Sequence, residues 1–284
     1  MKLKCKKIKG KDVVIIAPGY NLLKYKDKVF KFIEENNFVI FGCQNITDMI
    51  IPDYHFWSDD TRWEEFGHLI NKKSTFVFSK IFPKKEIRKH WKGKYLTFEK
   101  GEIKDKHNKT NHWLVAKPFR LNSKEAKRCR IYHKGETMFG CIRDIGTLAV
   151  FWAFIKGARK VTMIGFDGYT FYLKKDLDDE KVSQHFYGLG HTDGFIYNWE
   201  RKQDWDRYRT FRLLHKYCKK TFGFSFEIII PTVYDKFYNS SVLNIETDDN
   251  FTKWKEPTKD EYEKLKIKNL KEKNKLINYK KRNK

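Results

Sequence analysis

Long apolar runs are missing from this 284-residue sequence. A membrane-spanning helix needs about 20 predominantly apolar residues, whereas the uninterrupted apolar run at 148–155 would form only about two helical turns. We therefore expect no membrane-spanning helix, and we predict a protein that is soluble or bound at a membrane surface.

Cysteine is scarce as well. The five cysteines are an odd number, which argues against a disulfide framework, and none of them pairs at the short spacing of a metal site. They are Cys5, Cys43, Cys129, Cys141 and Cys218. This usage is typical of the reducing cytoplasm, where we expect the protein to reside.

Acidic residues are few relative to basic ones. The chain has 36 aspartates and glutamates and 60 lysines and arginines, which gives a formal net charge of +24. Such a charge attracts anionic partners: nucleic acid, acidic lipid, or small molecules that carry phosphate or carboxylate groups. Lysine is spread over the whole chain, so composition does not choose among these partners.

Four short apolar runs predict strands of a parallel sheet. They are 12–17 (DVVIIA), 38–43 (FVIFGC), 54–57 (YHFW) and 74–79 (STFVFS). The first run leads through Pro18 and Gly19 into an amphipathic stretch at 22–35, which indicates the opening strand and helix of a doubly wound sheet. This turn has one glycine where a dinucleotide fingerprint has three, so a phosphate-binding turn and an ordinary connection both remain open.

Polar residues follow the predicted strands. Gln44 and Asn45 come after the second strand, and Ser58, Asp59 and Asp60 come after the third. Open α/β sheets bind ligands at the carboxyl ends of their strands, so these side chains predict a binding site. The two aspartates suit either a divalent cation or the cap of the next helix.

The stretch 141–172 is the most informative part of the chain. Its apolar run at 148–155 predicts a buried helix, and 161–164 predicts a buried strand. Asp167, Tyr169 and Tyr172 follow that strand, and we expect them at the rim of the site. The alternative is that 165–172 is only a surface turn.

Three other segments are weaker in pattern. The basic and aromatic stretch at about 80–134 predicts a solvated insertion, with a single-stranded nucleic-acid surface as the alternative. A charged stretch and a Gly- and His-rich stretch at about 174–194 predict a lid, and His191 within it suits either a general base or a helix cap. The lysine-rich segment 250–284 predicts a helical tail that lies on acidic lipid or remains solvated.

Several segments carry a family resemblance. They are VVIIAPG, FGCQN, HFWSDD, IRDIGTLAVFWAFIKGARKVTMIGFDGY and HFYGLGHTD, followed by a helix and a strand that ends at Pro231. In this order they resemble the bacterial sialyltransferases of glycosyltransferase family 42, over most of residues 12–245 apart from about 80–134. The glycine turn and GFD also resemble the archaeal hydroxymethylpterin pyrophosphokinase-like family, which is related in fold and handles nucleoside triphosphate. The GLGHTD segment favours the transferase.

The resemblance implies a Rossmann-like, mostly parallel sheet and an inverting transfer of sialic acid from CMP-sialic acid to a glycan hydroxyl, without metal or another cofactor. By position, His191 would take the acceptor proton, Tyr169 and Tyr172 would donate hydrogen bonds to the leaving phosphate, and Arg143 would lie on the acceptor side. The expected contacts to the nucleotide sugar are Gly19, Asn21, Gln44, Asn45, Ser58, Asp59, Gly146, Thr147 and Asp167.

The sequence also departs from the family. The first turn, APGYN, lacks a second glycine and a serine, and Ser58 and Asp59 stand where the family has an amide. A carboxylate there would repel an anionic sugar, so a different sugar with a metal-dependent transferase, or a pyrophosphokinase that uses ATP and Mg²⁺, stays open. A basic nucleic-acid-binding protein is the competing class.

We therefore expect an α/β transferase domain at 1–249 and a basic tail at 250–284. Its expected partners are a nucleotide-sugar donor and a glycan or glycolipid acceptor, without nucleic acid, and its oligomeric state stays open. The tail would bring this cytoplasmic protein to the inner membrane face.

Overall fold

The computed structural model describes residues 6–101, 131–140, 142, 144–168 and 197–245, with only the backbone for 197–202. The predicted lid at about 174–194 and the predicted tail at 250–284 lie outside the described residues. Within the described ranges, no helix has the length and apolar character to cross a bilayer.

The described chain forms a mixed sheet of nine strands in the order β6-β7-β5-β4-β3-β2-β1-β8-β9. The strands are β1 Asp12–Ile16, β2 Val39–Cys43, β3 Tyr54–Trp57, β4 Thr75–Ser79, β5 Leu96–Lys100, β6 Tyr132–Lys134, β7 Thr137–Phe139, β8 Lys160–Ile164 and β9 Phe226–Ile228. Neighbouring strands are parallel except for the antiparallel pair β6 and β7. The predicted α/β class with a mostly parallel sheet is confirmed.

Six α-helices accompany the sheet in the described part of the chain. They are α1 Asn21–Lys24, α2 Lys26–Glu34, α3 Asp60–Phe66, α4 Lys84–His90, α5 Ile145–Ile155 and α6 Tyr197–Phe222. Two short 3-10 helices, Gly67–Leu69 and Asp235–Phe237, follow α3 and β9.

Both faces of the central strands are covered. In β1, Val13 and Ile15 belong to a core that includes α5 and α6, whereas Val14 and Ile16 belong to a second core with α2. Successive side chains of a strand point to opposite faces, so burial on both faces requires the uninterrupted apolar runs seen in the sequence. Helix α5 packs against β1, β2, β3, β8 and α6, and its nearly all-round burial explains why it is apolar on every side.

The stretch from Lys80 to Gly101 differs from the sequence-based expectation of a solvated insertion. It contains α4 and strand β5, which pairs in parallel with β4 through Val77 and Leu96. Only Phe98 of β5 is buried. A strand with one buried side chain carries too little apolar pattern to be recognised, which is why the sequence did not reveal it.

The order of strands reverses between β1 and β8. From β1, the strands β2 to β5, β7 and β6 extend to one side, and β8 and β9 extend to the other. The chain continues from β1 toward β2 on one side and from β8 toward β9 on the other, and open α/β sheets have a ligand crevice at such a point. The fold therefore places a candidate site there.

Candidate functional site

A cleft of about 490 Å³ lies at the carboxyl ends of β1, β2, β3 and β8. The beginning of α5 and one face of α6 complete its wall. The lining residues are Ala17, Pro18, Gly19, Cys43, Gln44, Ser58, Asp59, Asp60, Asp144, Ile145, Gly146, Gly165, Phe166, Asp167, Gly168, Gln203, Asp206, Arg207 and Thr210. Its volume falls within the range of small-molecule sites, roughly 300–1,000 Å³.

The cleft brings together six of the residues predicted to contact a nucleotide sugar. They are Gly19, Gln44, Ser58, Asp59, Gly146 and Asp167. Because parallel strands end at one edge of the sheet, residues that directly follow separate strands converge there. Arg143, Tyr169, Tyr172 and His191, the four predicted catalytic residues, lie outside the described residues.

Three other predicted contacts are buried and are not among the residues that line this cleft. The Asn21 side chain donates a hydrogen bond to the Pro231 carbonyl at 2.8 Å. Asn45 accepts one from the Thr47 hydroxyl at 3.1 Å, and the Thr147 hydroxyl donates to the carboxylate of Asp144 at 2.6 Å. These side chains support the loops around the cleft.

The first turn, after β1, is joined to the loop after β8 by backbone hydrogen bonds. The N–H groups of Ala17 and Gly19 donate to the carbonyls of Ile164 and Gly165 at 2.9 and 3.1 Å. The Asn21 N–H donates to the Asp167 carboxylate at 2.6 Å, and Pro18 has no N–H. With these donors used inside the protein, the structure favours an ordinary connection over a phosphate-binding turn.

Glycine is required where these two loops meet. A Cβ added to Gly19 would lie 2.5 Å from the Gly165 carbonyl oxygen and 2.7 Å from Oδ1 of Asp167. Gly165 itself has a φ of 74°, and a Cβ there would overlap the Ala17 carbonyl. Both glycines therefore permit the close approach of β1 and β8 loops.

Asp167 is an unusual carboxyl group on the floor of the cleft. Its side chain is buried, and its Oδ1 has no hydrogen-bond partner among the described residues. Burial raises the pKa of Asp167 to about 7, although the hydrogen bond from the Asn21 N–H acts in the opposite direction. Near neutral pH this carboxyl group is present in both its protonated and its ionised form.

Gln44 adopts a strained backbone conformation at the end of β2. Its φ is 54°, a region that residues other than glycine seldom occupy. Its N–H donates to the Phe56 carbonyl at 3.0 Å, and its carbonyl lies 2.5 Å from Nε2 of the fully buried His55. His55 was not among the predicted site residues, although it is the titratable side chain whose ordinary pKa is nearest to neutrality in the run YHFW.

Asp59 performs the capping role that the sequence left open. Its carboxylate accepts hydrogen bonds from the backbone N–H groups of Thr61 and Arg62, at 3.0 and 3.3 Å, at the start of α3. This contact fixes the carboxylate at the edge of the cleft.

Helix α6 supplies a wall that the sequence analysis did not predict. Gln203, Arg207 and Thr210 line the cleft and are spaced four and three residues apart, so they share one face of the helix. Nε of Arg207 lies 3.5 Å from Asp144, and its Nη1 donates to the Tyr234 hydroxyl at 3.1 Å. The spacing of these polar residues was the signal available in the sequence.

The described lining is acidic, in contrast to the basic chain. It contains one guanidinium, from Arg207, and five carboxyl groups, from Asp59, Asp60, Asp144, Asp167 and Asp206. Such a cleft suits ligands that present hydroxyl groups, or phosphates accompanied by a divalent cation. In the part of the chain that the structure describes, no three His, Cys, Asp or Glu side chains are grouped as metal ligands.

Comparison with known proteins does not identify a function, so the properties of this cleft are the basis for one. No known family model matches the chain, and a search of curated proteins found no match.

Proposed function

We propose that this protein is a glycosyltransferase with a Rossmann-like nucleotide-binding domain that moves a sugar from a nucleotide-activated donor to a glycan hydroxyl. The observation that supports it best is the cleft at the reversal of strand order between β1 and β8, lined by the ends of four parallel strands. Nucleotides bind in this position in open α/β sheets.

The lining residues suit a ligand rich in hydroxyl groups. Gln44 and Ser58 offer an amide and a hydroxyl, which both donate and accept hydrogen bonds, and Asp167 offers a carboxyl group. We assign these groups to the nucleoside and the sugar. Gly146 lines the cleft at the first turn of α5, and an added Cβ there would overlap the ring of Phe166, so the glycine permits the packing of that ring against the helix.

The chemistry of the transfer comes from the resemblance to family 42. In this proposal His191 accepts the proton of the acceptor hydroxyl, Tyr169 and Tyr172 stabilise the leaving phosphate, and Arg143 orients the acceptor. CMP-sialic acid is the first candidate donor, and inversion at the sugar carbon is the expected outcome. The carboxylates in the cleft would repel the sialic acid carboxylate, so a neutral sugar on the same type of donor is the alternative.

The same proposal includes a location for the protein, which we infer from its net positive charge. The net charge of +24 draws anionic donors to the protein. The basic tail at 250–284 brings this cytoplasmic enzyme to the inner membrane face, where a glycolipid acceptor is available.

Pyrophosphoryl transfer from ATP is the second candidate. The carboxylates of Asp59, Asp60, Asp144 and Asp206 favour it, since oxygen ligands of this kind accompany Mg²⁺ and nucleoside triphosphates.

Thermal denaturation with CMP, UDP, GDP, CMP-sialic acid and ATP, each with and without Mg²⁺, separates the candidates. A nucleotide at 100 times its dissociation constant stabilises the folded state by about 2.7 kcal/mol. We expect stabilisation by CMP and CMP-sialic acid, and slow hydrolysis of the donor in the absence of acceptor.

His191→Ala is the matched catalytic variant. It should retain nucleotide binding and lose transfer, while Lys31→Ala on the exposed face of α2 serves as control for both. Stabilisation by ATP with Mg²⁺ alone would replace the transferase with a pyrophosphokinase. Steeply salt-dependent binding of oligonucleotides without any nucleotide effect would remove both enzymes.

A further inference from the structure

Gln44 carries backbone strain at the point where it faces the cleft. In the described part of the chain, Gln44 and Asn244 are the two residues other than glycine that have a positive φ. A left-handed conformation is unfavourable for an L-residue with a side chain, so surrounding contacts must hold it. Strain of this kind is frequent at ligand sites.

Two residues of strand β3 hold the backbone of Gln44, one at its N–H and one at its carbonyl. The carbonyl of Phe56 accepts the Gln44 N–H, and the ring of His55 contacts the Gln44 carbonyl through Nε2. A carbonyl can only accept a hydrogen bond, so Nε2 carries the hydrogen and donates it. Burial lowers the pKa of His55 to about 4, which keeps the ring neutral and in this role at neutral pH.

The turn decides which side chains reach the cleft. Gln44 lines the cleft, whereas the next two residues, Asn45 and Ile46, are buried. Ile46 folds back onto Gly42, where an added Cβ would overlap its side chain. If Gln44 relaxed to a negative φ, the chain would leave β2 in another direction, and its amide would no longer be held at the cleft.

We propose that His55 is a positioning residue for ligand binding, which acts through Gln44 and presents the Gln44 amide to a hydroxyl of the nucleoside or sugar. The proposal rests on the function assigned to the cleft above. His55 itself is fully buried and does not line the cleft. Its ring also contacts the rings of Trp57 and Phe76, which belong to a buried cluster, whereas its contact with the Gln44 carbonyl reaches a lining residue directly.

A double-mutant cycle tests this. His55→Leu removes the N–H donor, and Gln44→Gly removes the amide while adopting a positive φ freely. Each variant should weaken CMP binding about tenfold, as expected for the loss of one hydrogen bond. The double variant should bind no more weakly than Gln44→Gly alone, because His55 then has nothing to position. Losses that multiply in the double variant would show that His55 affects binding independently of Gln44, and would overturn the proposal.

His55→Gln keeps an N–H donor on a side chain of different shape, so it should recover most of the lost affinity. Equal losses in His55→Gln and His55→Leu, with both variants folded, would contradict the assigned hydrogen bond.

A ligand-free measurement separates this inference from the proposed function. If the wild-type protein binds none of the nucleotides, the proposed function fails, and the crystal structure of unliganded His55→Leu decides the positioning role. We expect Gln44 to leave the left-handed region in that structure. A Gln44 that keeps its positive φ without the imidazole would overturn the inference whatever the ligand is.

Discussion

Replacement of Asp167 by asparagine should stabilise the protein at alkaline pH. The carboxyl group is buried, one of its oxygens has no hydrogen-bond partner among the described residues, and burial raises its pKa to about 7 from 3.8. Asparagine has nearly the same shape, keeps an oxygen that can accept from the Asn21 N–H, and never ionises.

The magnitude follows from proton linkage. Between pH 3.8 and 7 the unfolded chain has lost the Asp167 proton and the folded protein has kept it, so the free energy of unfolding falls as pH rises through this window. Each pH unit is worth 1.36 kcal/mol, which sums to about 4 kcal/mol above pH 7. At pH 5 only about 1.5 kcal/mol of this cost has developed.

Urea denaturation of the wild type and Asp167→Asn at pH 5 and pH 8 measures this difference. We expect the advantage of the variant to grow by about 3 kcal/mol between the two pH values. Asp12→Asn is the control: Arg159 lowers the pKa of Asp12, so its titration lies below this range and its effect should be constant. Parallel pH profiles for wild type and Asp167→Asn would refute the reasoning, because they would mean that Asp167 ionises alike in the folded and unfolded states.

Two further predictions concern the loops and the thiols. Gly19→Ala places a Cβ against the Gly165 carbonyl and Asp167. We therefore expect the free energy of unfolding, measured by urea denaturation, to fall by about 2 kcal/mol, and ligand binding to weaken. A variant as stable as wild type would show that the two loops can move apart without cost. Burial raises the pKa of the Cys43 and Cys218 thiols, so iodoacetamide at pH 8 should label neither in the folded protein and both in urea, as mass spectrometry can show. Labelling of Cys43 without denaturant would indicate that the cleft opens wider in solution than it does in this structure.

The sequence by itself determined the strands β1 to β4, β8 and β9 and the chemical character of the loops that follow them, but not β5, β6 and β7. The runs DVVII, VIFGC and TFVFS could be recognised because strands covered on both faces must be apolar at every position. Gln44, Ser58, Asp59 and Asp167 could be placed at a site because each lies within three residues of the end of a strand, and parallel strands end at one edge of the sheet.

Only the tertiary structure decided which of these side chains turn inward and what holds the others. Asn21 and Asn45 have the same chemistry as Gln44, but the turn geometry directs them into the protein. The bond from Asn21 to Asp167 joins residues 146 positions apart, and the face of α6 with Arg207 completes the cleft from a distant part of the chain. Hydrogen bonds and packing between such distant segments leave no local periodicity, so no reading of neighbouring residues reveals them. The positions of individual side chains in the cleft therefore became visible only when the strands were assembled in their order.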